Sequence, residues 1–154
     1  MMHDRVAVKG HIRVDKYDGN GVWYDTTEAD NIFLTVGTNE IWKLVTGQSA
    51  NTFTNAQATI GIGDSATAAT AAQTDLQAAT NKLYKGMAAS FPTVPASGSI
   101  QFQAVFASAD ANYVWAEFVV RQATSVICID RGVSAMGTKA SGTTWTATVT
   151  LTLA

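Results

Sequence analysis

The sequence predicts a mainly β domain: a compact antiparallel sandwich, jelly roll or small barrel with one or two short helices. Three observations predict it. Thr144 to Leu153 alternates with period two, placing Trp145, Ala147, Val149, Leu151 and Leu153 on one face and Thr144, Thr146, Thr148, Thr150 and Thr152 on the other. Such alternation describes a strand with one face on a core, and β-branched threonine suits the outer face. Further runs near residues 6–14 and 100–106 alternate in the same way. Clusters of Asp, Asn, Gly and Pro separate seven or eight such short runs, the spacing of an antiparallel fold. A chain of 154 residues holds one such core, so residues 1–154 are read as a single domain.

In the first strand Val6, Val8, Ile12 and Val14 share one parity, while Arg5, Lys9, His11 and Arg13 form a basic row on the other. Asp15 to Gly21 is a turn, because Asp18-Gly19 and Asn20-Gly21 reach positive φ at little cost, and the chain returns through Val22, Trp23 and Tyr24 as a hairpin. Asp25 to Asn31 reads as a polar connection, and Ile32 to Val36 as a short apolar run closed by Gly37. Asn39 is placed as the cap of a helix over Glu40 to Thr46, which brings Ile41, Leu44 and Val45 to one side, with Trp42 at its margin. Gln48 to Gln57 is a loop broken only by Phe53.

Ala58 to Gly63 is a strand whose glycines at 61 and 63 imply a close approach to another backbone. Asp64 to Thr80 is dominated by Ala and Thr and is assigned as a loop to Gln73, then a short helix starting at Thr74 or Asp75. Lys82 to Phe91 is a strand with Leu83, Tyr84 and Met87 as packing residues, followed by the Pro92 to Gly98 turn. Ile100, Phe102, Ala104 and Phe106 line the core face of the next strand. Tyr113 to Val120 is apolar on both faces and is therefore central or covered by a partner. Val126 to Ile129 is a further short strand, Gly132 to Gly142 a connection, and Thr144 to Leu153 the last strand.

Composition narrows the function. Charged residues make up only 14% of the chain and apolar ones 47%, so much of the surface is Thr, Ser, Asn, Gln and Ala, as in a subunit packed against neighbours. A net charge of −2 offers no basic field for nucleic acid. No apolar run is long enough to span a membrane, and His3, Asp4 and Arg5 interrupt what a signal peptide would need, so synthesis in a cytoplasm is expected. The lone Cys128 lies in an apolar run and reads as a buried small hydrophobe.

Catalytic and metal readings are weaker than structural ones. A nucleophilic triad needs a histidine base, and His3 and His11 lie at the terminus and on the polar row of the first strand. Asp15, Asp18, Asn20 and Asp25 resemble part of a calcium loop, but Val22 breaks the series and no Glu completes it, so a hairpin turn is preferred. Gly61-Ile62-Gly63 lacks the spacing and the Lys of a phosphate loop. Glu117 interrupts an apolar strand; buried, it would cost several kcal/mol unless paired, and Arg121 or Arg131 can supply a structural salt bridge. Trp23, Tyr24, Trp42, Trp115 and Trp145 are scattered, and packing is preferred to a carbohydrate platform. No catalytic residue, metal ligand or cofactor is therefore assigned.

Three stretches carry a resemblance: Asn31 to Gly47; Ile60 to Leu76, with Gly61-Ile62-Gly63-Asp64-Ser65 and an Ala/Thr tract ending in Asp75-Leu76; and Phe102 to Val120, with Phe102, Phe106, Ala111-Asn112, Trp115 and Glu117. Together with Arg131 and the closing strand, they make the chain resemble small virion structural proteins of tailed bacteriophages. That resemblance implies a non-enzymatic component of the particle, a head decoration or cement protein binding the major capsid protein on the outer capsid surface. The alternatives are a tail- or fibre-associated protein and, behind it, a carbohydrate-binding module. Self-association is expected, a trimer preferred because capsids offer local threefold sites. The interface candidates are the row Arg5, Lys9, His11 and Arg13 and the outward Thr146, Thr148 and Thr150, with loops 48–57 and 64–80 as contacting arms.

Overall fold

A computed structural model describes residues 8–153. Eight strands and one helix follow in the order β1 (Val8–Tyr17), β2 (Trp23–Phe33), α1 (Thr35–Val45), β3 (Ala58–Gly63), β4 (Lys82–Gly86), β5 (Ser99–Phe106), β6 (Val114–Gln122), β7 (Asp130–Thr138) and β8 (Thr144–Leu153). They form one antiparallel sheet in the order β4-β3-β6-β7-β2-β1-β8-β5, curled into a nearly closed barrel. Its two end strands are bridged just beyond β4, where Ala88 N–H donates to Gln103 C=O at 2.8 Å and Thr93 and Gln101 exchange hydrogen bonds of 2.9 and 2.8 Å. Of the three architectures open to the sequence, the small barrel is the one formed.

The barrel interior is filled from the alternating faces. Ile12 and Val14 of β1, Ile60 and Ile62 of β3, Phe102 and Phe106 of β5, Phe118 and Val120 of β6, and Trp145, Ala147 and Val149 of β8 are buried together. Trp115 packs edge-on between Phe106 and Trp145, with ring centroids 4.8 and 4.9 Å away, the geometry that aromatic quadrupoles favour. β8 has the bounds and the inward face read from its alternation, except that Leu153 at its end is exposed, as is Val8, its partner on β1.

Several elements depart from expectation, each for a tertiary reason. β2 continues through the polar stretch Asp25 to Asn31 because β1 supplies its backbone partners from Gly10↔Asn31 to Lys16↔Asp25. Asp15 and Lys16, read as the start of a turn, belong to β1; the turn itself is tightened by Asp18 Oδ1, which accepts the N–H groups of Asn20 and Val22 at 2.8 and 2.9 Å. The helix starts at Thr35, not Glu40, and Asn39 lies inside it; Leu34 is the N-cap and makes no side-chain cap bond. Gly37 does not close a strand but lies in α1, where a Cβ would come within 2.4 Å of Ile129 Cα and 2.6 Å of Cys128 O. Ile41 and Leu44 are half-buried, whereas Trp42 and Val45 are exposed.

The helix expected from Thr74 onward does not form, and 64–81 is irregular throughout. β4 ends at Gly86 rather than Phe91. Val126 to Ile129 is an irregular segment with a single bridge, Arg121↔Cys128, and the expected connection at Gly132 to Gly142 instead contributes most of β7. In β6 a register shift between Trp115 and Glu117 breaks the parity of the strand. Trp115 joins Phe118 and Val120 in the interior, while Glu117, Val119 and Arg121 project to the outside. Gly61 and Gly63 do admit close neighbours, but these are the Tyr84 ring, Val119 and the Glu117 carboxylate, all side chains.

Candidate functional site

The two outer faces of the barrel differ, and the difference arises at Glu117. This carboxylate and Arg131 on the adjacent β7 are both fully buried, with Arg131 Nη2 and Nε donating to Glu117 Oε2 at 2.7 and 2.9 Å. The pair is also an anchor. Glu117 accepts the backbone N–H groups of Gln77 (2.9 Å) and Ala78 (2.7 Å), and Arg131 donates to Gln73 Oε1 (2.8 Å) and Thr67 C=O (2.9 Å). Residues 64–81 are thereby bound across the outside of β3, β6 and β7 as a strap. Three backbone groups of this Ala-rich, non-helical tract, the N–H of Gln77 and Ala78 and the C=O of Thr67, are thus satisfied by the buried ion pair.

Beneath the strap Leu76 packs with Val119, Cys128 and Leu34. Arg121 does not reach Glu117: its Nη1 donates to Asp75 Oδ2 at 3.2 Å, and its guanidinium lies 3.5 Å over the centre of the Tyr84 ring. Tyr84 donates to Asp75 Oδ1 at 2.6 Å, and burial together with that carboxylate pushes its phenol well up from the ordinary value. Burial, reinforced by Asp75, does the same to the Cys128 thiol, which is not poised as a nucleophile. The strap also meets α1, since Thr35 N–H donates to Ala71 C=O at 2.9 Å. Thus residues 64–80, expected as a contacting arm, lie along their own barrel with much of their outer side exposed. The loop at 48–57 is likewise pinned, with Asn51 and Ser49 on Glu40, Phe53 edge-on to Phe102, and Asn55 donating to Ala88 and Phe91 carbonyls.

The other outer face, over β5, β8, β1 and β2, is covered by no segment among the described residues. Register aligns its residues in rows: Gln103, Thr148, Arg13 and Glu28 in one, Gln101, Thr150, His11 and Asp30 in the next, and Val105, Thr146, Asp15 and Thr26 in a third. The interface candidates Lys9, His11, Arg13, Thr146, Thr148 and Thr150 therefore lie side by side on two adjacent strands, a proximity invisible in a sequence that separates them by more than a hundred residues. Arg5 lies outside the described residues, as does His3.

This face is polar without being a basic field. Arg13 Nη2 is 2.9 Å from Asp15, His11 Nδ1 is 3.1 Å from Asp30, and Gln101 and Gln103 donate to Thr150 and Thr148 at 3.1 Å. The hydrogen bond from Arg13 holds the Asp15 carboxyl below its ordinary range. The acidic residues of the first hairpin are divided among separate tasks: Asp18 closes the turn, Asp15 takes Arg13 and Thr26, and Asp25 takes the buried Lys16 at 2.7 Å. Among the described residues no group of three potential ligands is placed to hold a metal, and no helix is long and apolar enough to cross a membrane.

Asp130 escaped the sequence reading. It is buried, with its Oδ1 accepting Val120 N–H at 2.7 Å and its Oδ2 facing Asn31 Nδ2. The available signal was the one used for Glu117, a carboxylate at the end of the apolar run Val126 to Ile129. Lys139, also buried and tied to Ala107 C=O and Asn112, carried no comparable signal. No protein-family model matches the chain, and no curated protein or solved structure matches it either.

Proposed function

We propose that this chain is a non-enzymatic structural subunit, a decoration or cement protein that binds the major capsid protein on the outer surface of a tailed-bacteriophage shell. The observation that supports docking is the inequality of the two outer faces. The strap occupies one, whereas the other presents aligned rows of Thr, Gln and charged residues, Arg13 being paired with Asp15, over four strands. Such a face, with Thr and Gln making up much of the rest, gains from many shallow contacts repeated by symmetry. The virion assignment rests on the resemblance carried by residues 31–47, 60–76 and 102–120, and self-association around a local threefold axis belongs to the same reading.

Electron microscopy of intact particles tests it directly: many copies on the shell are expected, and copies confined to one vertex or the tail tip would sink it. Thr148→Lys with Thr150→Lys adds two charges to the open face and leaves the inward residues of β8 untouched. Unchanged thermal unfolding with lost particle binding is the expected result; full binding would exclude this face. The exposed Trp23 and Trp42 favour a second reading, a tail- or fibre-associated protein present in low copy number.

A further inference from the structure

β2 and β7 meet at only two positions, Ile32 opposite Arg131 and Phe33 opposite Asp130, the shortest ladder between neighbouring strands of the described sheet. Asp130 lies at this seam, and its carboxyl joins three strands: its own, β6 through Val120 N–H, and β2 through the Asn31 amide. No cation faces it. Arg131 projects to the opposite side of the sheet, where Glu117 holds it, and Arg121 is engaged by Asp75. Of the remaining titratable neighbours, Asp30 on β2 is turned to His11, and the segment before β7 brings the Cys128 thiol, which burial keeps protonated.

A buried carboxyl without a counter-ion favours its neutral form, and burial pushes Asp130 up to about 7. Asn31 Oδ1, moreover, has no hydrogen-bond partner. The amide nitrogen now donates to Asp130 Oδ2; a half-turn of the amide would bring the oxygen there instead and give the proton of a neutral carboxyl an acceptor.

We infer that the Asp130–Asn31 contact is a proton-operated clasp on the β2–β7 seam: it is closed while Asp130 is neutral, and ionisation loosens it. The groove of about 430 Å³ bordered by Asp30 to Ile32, Arg131 to Val133 and the strap alanines lies beside it and loosens with it. Opening returns the carboxyl to water and to ordinary acidity, so it releases a proton. The stability conferred by the neutral form is complete below the ordinary carboxylate range and is lost as pH rises toward 7, after which the effect levels off.

Hydrogen exchange of the seam amides at Ile32, Phe33, Asp130 and Arg131, corrected for intrinsic rates, reads this directly. Protection is expected to fall by up to about tenfold per pH unit between roughly pH 4 and 7, while the β5–β8 ladder stays level. In Asp130→Asn the dependence should vanish. Wild-type protection that is flat across this window, or an Asp130→Asn protein that keeps the wild-type dependence, overturns the inference. If that variant does not fold, the carbon-13 shift of the wild-type Asp130 carboxyl decides: a midpoint near 7 agrees, and one below about 5 refutes.

Discussion

Replacing Arg131 with Met separates an anchor from an incidental ion pair. The side chain makes four hydrogen bonds, two to Glu117, one to Gln73 and one to Thr67 C=O, all without exposure to water. Methionine fills comparable space but leaves Glu117 buried with only the N–H groups of Gln77 and Ala78 as donors. Breaking a buried pair by removing one partner costs about 3–5 kcal/mol, a large share of the roughly 5–15 kcal/mol that holds a domain of this size together.

The double variant Glu117→Leu/Arg131→Met no longer buries a lone charge and should recover part of that loss. It should not recover all of it, because Gln77 N–H, Ala78 N–H and Thr67 C=O then lose their partners, at about 1–3 kcal/mol for each that water does not reach. Urea unfolding at neutral pH measures both quantities. Thermolysin under native conditions reports the strap separately, since 64–81 contains no Lys or Arg for trypsin and cleavage near Leu76 requires its release. An Arg131→Met protein within about 1 kcal/mol of wild type, or one whose strap is cleaved by thermolysin no faster than in wild type, would refute the anchoring role.

Two further changes test the packing around α1. Gly37→Ala gains about 1 kcal/mol of helix propensity, yet its Cβ meets backbone atoms of Ile129 and Cys128 at 2.4–2.6 Å. A net loss of about 1–3 kcal/mol by thermal unfolding is expected, and a raised Tm would show that α1 can shift away freely. Glu40, buried in the same helix, is held below its ordinary range by hydrogen bonds from Ser49 and Asn51. Its contribution is therefore present above the ordinary carboxylate pKa and is lost as pH falls through its folded value. Tm should drop more steeply with acid below about pH 5 in wild type than in Glu40→Gln, and parallel curves would contradict this.

Strands with one buried face were legible from the chain, because alternation at period two records which side meets the core. β1, β3, β5 and β8 came through this way, and β8 kept its bounds. β2 and β7 did not, since one is largely exposed and polar and the other is rich in glycine; both are strands because a neighbour offers backbone partners. β6 was legible as apolar on both faces, but the register shift within it is one that no hydrophobic pattern announces. Glu117 was recognised as needing a cation, but Arg131 rather than Arg121 became its partner only through the pairing of β6 with β7.

By itself, then, the sequence determined a mainly β fold, an inward face for the alternating strands, and a charge-poor outer surface. Tertiary structure decided the closure of the sheet into a barrel, the course of the strap, the alignment of Thr146, Thr148 and Thr150 with Arg13 and His11, and the burial of Asp130 at the β2–β7 seam. The physical reason is one of range. Burial of a strand face is imprinted locally, residue by residue, whereas a partner for a buried charge or an unpaired backbone group is chosen by whatever distant segment the fold brings within hydrogen-bonding distance.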